Sequence, residues 1–364
     1  MRKRVSLILT MVFVSGVLLL FLFNKEKTAE PFAAEEFIKK WLKNDNGTLA
    51  TYMKEEKAED EDFVKGREAL SETLGLWMEY ALQKEDKKLF EESYKTLNRY
   101  FLEEDGFVYW KLTESGQSRV SANALVDDLR ISLALFQAKE KWNEERYEKA
   151  AVRISEYIVE FNNYQHVLTD FYERNDQYAS PIITLSYIEP ESLKKLQARH
   201  LIDGETYKNM LKILKNAPND GVFYPKKFNV KSKKYLFDQN VNMIDQALVA
   251  FYRAKSGFST TLFSNFIKKE IDTHGVIFGQ YNRVTGQPAV EYESPAIYGW
   301  LILYCVEIGE EELAKILFKE MNKFQNTDSD YYGGYSVYKE DTHIFDNLVP
   351  LLAERKLYNK GLIN

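Results

Sequence analysis

Beyond Glu30, apolar residues return every three or four positions, the spacing that gathers them on one face of a helix. Leu70, Leu74, Trp77, Met78 and Ala81 make one such stripe, and Leu125, Leu129, Ser132, Leu133 and Phe136 a second. Ile297, Leu301, Leu303 and Tyr304 make a third. A recurring break separates the helical stretches: a glycine followed by a short aromatic, β-prone run. It is written Gly106-Phe-Val-Tyr-Trp110, Gly221-Val-Phe-Tyr-Pro225, Gly275-Val-Ile-Phe278 and Gly334-Tyr-Ser-Val-Tyr338. The intervals are 115, 54 and 59 residues, the first close to a doubled period of about 57. The same period reaches back to Gly47 and fills the gap near Asn163, where the glycine is missing.

Six units of that length, each holding two helices and a loop, account for the chain. Repeated helix pairs either stack as an open solenoid or close into a ring. Six pairs predict an all-α, six-hairpin (α/α)6 toroid, with the punctuating loops and their aromatics gathered at one end. No Pro-, Ser- or Gly-rich linker interrupts residues 35–364, which are therefore expected to form one domain.

The N-terminus has a different pattern. Met1-Arg-Lys-Arg4 precedes an uncharged run from Val5 to Phe23, and residues 24–34 follow as a linker. Nineteen residues at about 1.5 Å each span roughly 29 Å, enough for a hydrocarbon core. The basic cluster should stay in the cytoplasm, which places the domain outside a bacterial cell membrane as a single-pass protein. A cleaved signal peptide is the alternative, although its apolar core is usually shorter. No cysteine follows the run, which argues against a lipid anchor.

Composition narrows the chemistry. With 49 basic against 55 acidic residues the net charge is −6, unsuited to a nucleic-acid partner, which demands a basic face. The single cysteine, Cys305, and four scattered histidines give no metal-binding spacing, and no cofactor is implied. Aromatics are abundant: 24 Tyr, 23 Phe and 5 Trp suit either a large core or the lining of a binding groove. Carboxylates remain as the catalysts. Hydrolysis of a glycosidic bond needs two, one protonated and one ionised. Three segments place carboxyls among apolar residues, where burial raises a pKa. They are Glu72 in Ser71-Glu-Thr-Leu-Gly-Leu-Trp-Met78, Asp127 and Asp128 before Leu129-Arg-Ile131, and Asp238 and Asp245 in Phe237-Asp-Gln-Asn-Val-Asn-Met-Ile-Asp245.

In this order the segments resemble bacterial glycoside hydrolase family 8, whose members cut cellulose, chitosan, xylan and related β-glycans with inversion. Ser71, Glu72, Gly75 and Met78 match the family's Ser-Glu-Gly-x-Gly-Tyr-Gly-Met, in which the Glu is the general acid. Gly106 and Trp110 resemble its Gly-Leu-x-x-Trp. Ala124, Asp128, Ile131, Ala138 and Trp142 fit its Ala-Ser/Thr-Asp-Ala/Gly-Asp-x-x-Ile-Ala motif and the helix beyond, with Val126 where the first Asp would stand and Asp127 at the small residue. Ser186, Tyr187 and Pro190 resemble Ser-Tyr-Phe-x-Pro, and Asp220-Gly-Val-Phe-Tyr-Pro225 the Gly-Leu-Phe-Pro loop. Phe237-Asp238 aligns with the Tyr-Asp that carries the base, with Val241 and Met243 replacing the following Arg and Pro.

The resemblance implies Glu72 as proton donor, Asp238 as base with Asp245 in reserve, and Asp128, with Asp127, holding the sugar or the water. It implies Trp77, Trp110, Tyr187 and Phe223 as stacking platforms. The expected partner is an exopolysaccharide or biofilm glycan, cut internally beside the membrane and near the machinery that synthesises it. Two rivals are a polysaccharide-binding or assembly factor that kept the fold without the chemistry, and a polysaccharide lyase on a similar toroid.

Overall fold

The computed structural model describes residues 31–56, 63–218, 221–327 and 330–364. The predicted membrane run of residues 5–23 lies outside these. Among the described residues no helix is long and apolar enough to cross a membrane.

Among the described residues twelve α-helices alternate in role along the chain. The outer set is α1 (Ala33–Trp41), α3 (Lys87–Thr96), α5 (Glu145–Phe161), α7 (Gly204–Lys215), α9 (Thr261–His274) and α11 (Glu311–Asn322). The inner set is α2 (Ser71–Lys84), α4 (Leu125–Trp142), α6 (Pro190–Ala198), α8 (Met243–Lys255), α10 (Pro295–Glu307) and α12 (Phe345–Asn359). The inner helices begin 50–65 residues apart, the period expected from the glycine breaks. Burial separates the two sets. In α10 every residue from Pro295 to Cys305 is buried, as suits a helix surrounded by others. In outer α7 only Thr206, Met210, Ile213 and Leu214 are, a single stripe.

The inner helices pack in sequence, α2 on α4 and so on to α12, and α12 packs back on α2. The ring is therefore closed, an (α/α)6 toroid rather than a solenoid. Its seam joins the two ends of the domain. The Phe32 N–H donates to Glu354 Oε1 at 3.0 Å, and the Arg355 guanidinium lies 3.4 Å from the Phe32 ring centre. Tyr80 of α2 donates its hydroxyl to Glu35 of α1, whose other oxygen pairs with Lys84 at 2.7 Å.

The glycine breaks mark the turns from outer to inner helices. Gly47, Gly106, Gly221, Gly275 and Gly333 all have left-handed backbone, so the last such residue is Gly333 rather than its neighbour Gly334. At Gly106 a Cβ would lie 2.2 Å from the Arg153 carbonyl oxygen, so only glycine fits. Small antiparallel bridges recur there: Lys43 with Leu49, Leu102 with Val108, Asn163 with Leu168, Gln325 with Tyr335. The turn without glycine puts Gln165 and His166 in the left-handed region at φ 46° and 62°. Such backbone costs a non-glycine residue about 1 kcal/mol or more.

These turns, with short strands inserted after them, collect where the inner helices begin. The strands are β1 (Ala69–Leu70) with β2 (Lys111–Leu112), β3 (Tyr172–Glu173) with β4 (Tyr178–Ala179), β5 (Ile182–Thr184) with β6 (Lys227–Asn229) and β7 (Lys234–Leu236), and β8 (Asn240–Asn242) with β9 (Gln280–Asn282), all antiparallel. Most exposed aromatics stand on this end, among them Phe63, Phe171, Tyr178, Tyr292 and Tyr338.

Candidate active site

The site grows out of the first turns of three inner helices. Peptide N–H groups point outward at a helix N-terminus and favour negative charge. Glu72 in α2, Asp127 in α4 and Asp245 in α8 all occupy such positions. The start of α2 lacks a cap of its own, because Leu70 precedes it. Asp127 of the neighbouring helix supplies one: it accepts from the Ser71 hydroxyl at 2.7 Å and from the Glu72 backbone N–H. Glu72 is thus fixed by the carboxylate that most affects its charge.

Glu72 is half-buried. Burial, and then the charge of Asp127, raise its carboxyl to about 7, partly offset by Arg130. Arg130 lies one turn along α4, buried, 3.4 Å from Asp127 Oδ1. It fits there because α2 carries Gly75 at the crossing, where a Cβ would meet the Arg130 stem at 3.2 Å.

Asp128 does not share this cleft. Adjacent residues on a helix project about 100° apart, so one of the pair must turn away. Asp128 turns to the outer layer, enclosed at 1% exposure, accepting from Asn123 Nδ2 at 2.7 Å while Asn123 also donates to Asn162 at the end of α5. Burial pushes its carboxyl well above the usual range. The expectation that Asp128 holds sugar or water is corrected: Asp127 faces Glu72, and Asp128 braces the wall.

On the far side, Ser186 donates to Asp245 Oδ1 at 3.0 Å, and Asn242 caps α8 by accepting from the Ile244 N–H at 2.8 Å. Asp238 sits in the exposed link between β7 and β8. Lys226 joins the two aspartates, 3.4 Å from Asp238 Oδ2 and 3.7 Å from Asp245 Oδ2. It brings a cation beside the pair, while Val241, where the family has its Arg, is buried in β8. Asp170 is a further member the sequence reading missed. It accepts from the Thr184 N–H at 2.6 Å and hydroxyl at 2.8 Å, and burial lifts its carboxyl to about 6.

Tyr187 ties the two sides together. Its phenol is pushed up by burial and then by Asp127, Asp170, Glu72 and Asp245, so all four carboxylates lie within its electrostatic reach. Trp110 is half-buried, and its carbonyl accepts from the Ser71 N–H at 3.0 Å at the start of α2. The other two expected platforms are corrected. Trp77 is buried and stacked on Tyr80 at 5.4 Å, and Phe223 is 1% exposed against Phe266 and Tyr281. Neither offers a ring face to a sugar. Among the described residues no group of three His, Cys, Asp or Glu is arranged to hold a metal ion.

Carboxylates at the inner-helix N-termini of a closed ring, one of them raised to about 7, are of the kind that glycosidic hydrolysis uses. Residues 13–172 match the glycosyl hydrolases family 8. The chain is 37% identical over 342 residues to a protein of Bacillus subtilis (strain 168) described as putative lipoprotein YdaJ, covering 93% of this chain and 90% of that one. It belongs to glycoside hydrolase family 8. It is similar to a solved structure described as a novel alpha-amylase from Clostridium perfringens, with TM-score 0.81, 27% identity, and 89% and 96% of the two chains covered. The endo-beta-1,4-glucanase CMCax from Acetobacter xylinum shares the fold, with TM-score 0.61 and 14% identity over 91% and 100% of the chains.

Proposed function

We propose that this glycosidase cuts an extracellular polysaccharide internally and with inversion, Glu72 giving the proton and Asp238 taking one. The charge state of Glu72 carries the reading. At about 7 its carboxyl keeps a large share of its protons at neutral pH, as a departing glycosidic oxygen requires. Asp238 is exposed and open to water beside Lys226, whereas one oxygen of Asp245 is engaged by Ser186. In this reading Asp245 anchors Lys226 and stands in reserve. Asp127 orients Glu72, and Tyr187 and Trp110 flank the sugar.

The basic cluster and apolar run at the N-terminus support a membrane-anchored domain outside the cell. An enzyme held there meets the exopolysaccharide its own cell makes, beside the synthesis machinery, and trims or releases matrix glycan. The linkage divides two readings: the glucanase acts on β-1,4-glucan, while the more similar Clostridium protein is described as an alpha-amylase. Purified protein should be offered carboxymethyl cellulose, starch and the producer's own exopolysaccharide, with new reducing ends and the first-formed anomer followed. We expect inversion on whichever polymer is cut. Retention of configuration would sink the mechanism.

A further inference from the structure

A second groove of about 570 Å³ lies behind the active-site end, separated from the cleft by the β6–β7 hairpin. Tyr164, Phe228 and Tyr235 form its floor, and Asn209, Lys212 and Lys233 its rim. Phe228 and Tyr235 are register partners with ring centres 4.9 Å apart, so both stand on one face of the hairpin. Their neighbours Lys227 and Leu236 pair on the opposite face, where Lys227 acts electrostatically on Asp170 in the cleft. One hairpin therefore borders both places.

Two features of the groove serve no evident packing purpose. The turn at its edge keeps Gln165 and His166 in left-handed backbone where its sister turns use glycine. Strain of this kind persists mainly where side chains are put to use. His166 hangs over the groove, its Nδ1 3.0 Å from Asp203 Oδ2. The second feature is charge. Lys212 and Lys233 on the rim are exposed, as is nearby Lys231, whose Nζ lies 5.9 Å from the Tyr164 ring centre, and none has an ion pair among the described residues. Of the nearby acids, Asp203 is committed to His166 and to the Thr206 N–H that starts α7, and Glu205, on the groove's lining, lies 3.9 Å from His166 Nε2.

Aromatic faces receive the apolar sides of sugar rings, carboxamides bind hydroxyls, and lysines without carboxylate partners call for an acidic ligand. We infer that this groove binds a stretch of an acidic polysaccharide continuing over the hairpin from the cleft. The inference rests on the polysaccharide reading above for the polymer, though not on its mechanism.

The test uses the full chain carrying Glu72→Gln, run in native gels containing carboxymethyl cellulose or its neutral counterpart hydroxyethyl cellulose. Carboxymethyl cellulose should retard the protein more strongly, and added salt should remove the difference. Tyr164→Ala, or Lys212→Gln with Lys233→Gln, should weaken binding about tenfold at unchanged melting temperature. In the active enzyme the same changes should raise KM for the charged polymer and leave kcat alone. No retardation, equal retardation by the neutral polymer, or groove variants that bind like the parent would each overturn the proposal. Failure of the glycosidase reading looks different: the Glu72→Gln protein would still release reducing ends.

Discussion

Glu72 and Glu79 stand seven residues apart on α2, two turns along nearly one face, and both are half-buried. Their company differs. Glu72 faces the carboxylate of Asp127. Glu79, toward the other end of the ring, is raised by burial but pulled back by Lys255 and then Arg130. Lys255 in turn lies 3.1 Å from Glu191 and 3.8 Å from Glu189. Arg130 reaches both acids from between them. Burial alone therefore does not decide how firmly an acid on this helix holds its proton. The N-terminal end pairs acid with acid, which holds a proton in place, and the far end pairs acid with base, which holds the inner helices together.

The largest test of this contrast is catalytic. Glu72→Gln keeps size and hydrogen bonding without the proton, so kcat should fall about 10²–10⁴-fold. Glu79→Gln should stay within about twofold of the parent. Equal losses would erase the distinction between the two ends.

Stability supplies the second test. Glu72 titrates at about 7 when folded, above its ordinary 4.5, so the folded state binds this proton more tightly. Its contribution is intact below pH 4.5 and is lost as pH rises toward 7. Glu72→Gln escapes that loss and should be more stable than the parent at pH 8 by on the order of 2 kcal/mol, the two converging near pH 4.5. Urea unfolding at both values measures it; equal stability at pH 8 would show that Glu72 is not strained.

Asp127→Asn probes the pairing itself. Removing the neighbouring charge lowers the Glu72 pKa, so the alkaline limb of the kcat/KM profile should move down by about one pH unit. A limb that stays in place would mean burial acts alone. The smallest effect is expected from Gly75→Ala. The new methyl meets Arg130 and Ile131 at 3.2–3.3 Å, and better helix propensity offsets the crowding. Net stability should change by less than about 1 kcal/mol, with a modest fall in kcat as Arg130 shifts.

The six-fold repeat was legible because the outer-to-inner turn needs left-handed backbone, and glycine at five of six positions gave it a period. Glu72 stood out through the motif around it, Ser71, Gly75 and Met78, because a lone carboxylate on a helix more often caps or pairs; its contact with Asp127 lay beyond the sequence. Which of Asp127 and Asp128 faces the cleft was not, since adjacent residues differ only by helix rotation, and the neighbouring helix sets that. Trp77 and Phe223 misled for a related reason: an aromatic suits a core as well as a sugar. Asp170 and Lys226 lie in irregular segments without periodicity, and they reach Asp245 only through contacts between distant turns.

The seam between α12 and the first two helices has a consequence in time. An open stack could fold unit by unit as it emerged, each pair resting on the last. Here Glu354 and Arg355 must arrive before Phe32 and Tyr80 find their partners, so contacts some 300 residues apart complete the ring. Until α12 docks, α2 lacks a neighbour on one side, and Glu72 keeps more water and less of its raised affinity for a proton. The chain would therefore be silent while being made, and would begin work only once its last helix has docked.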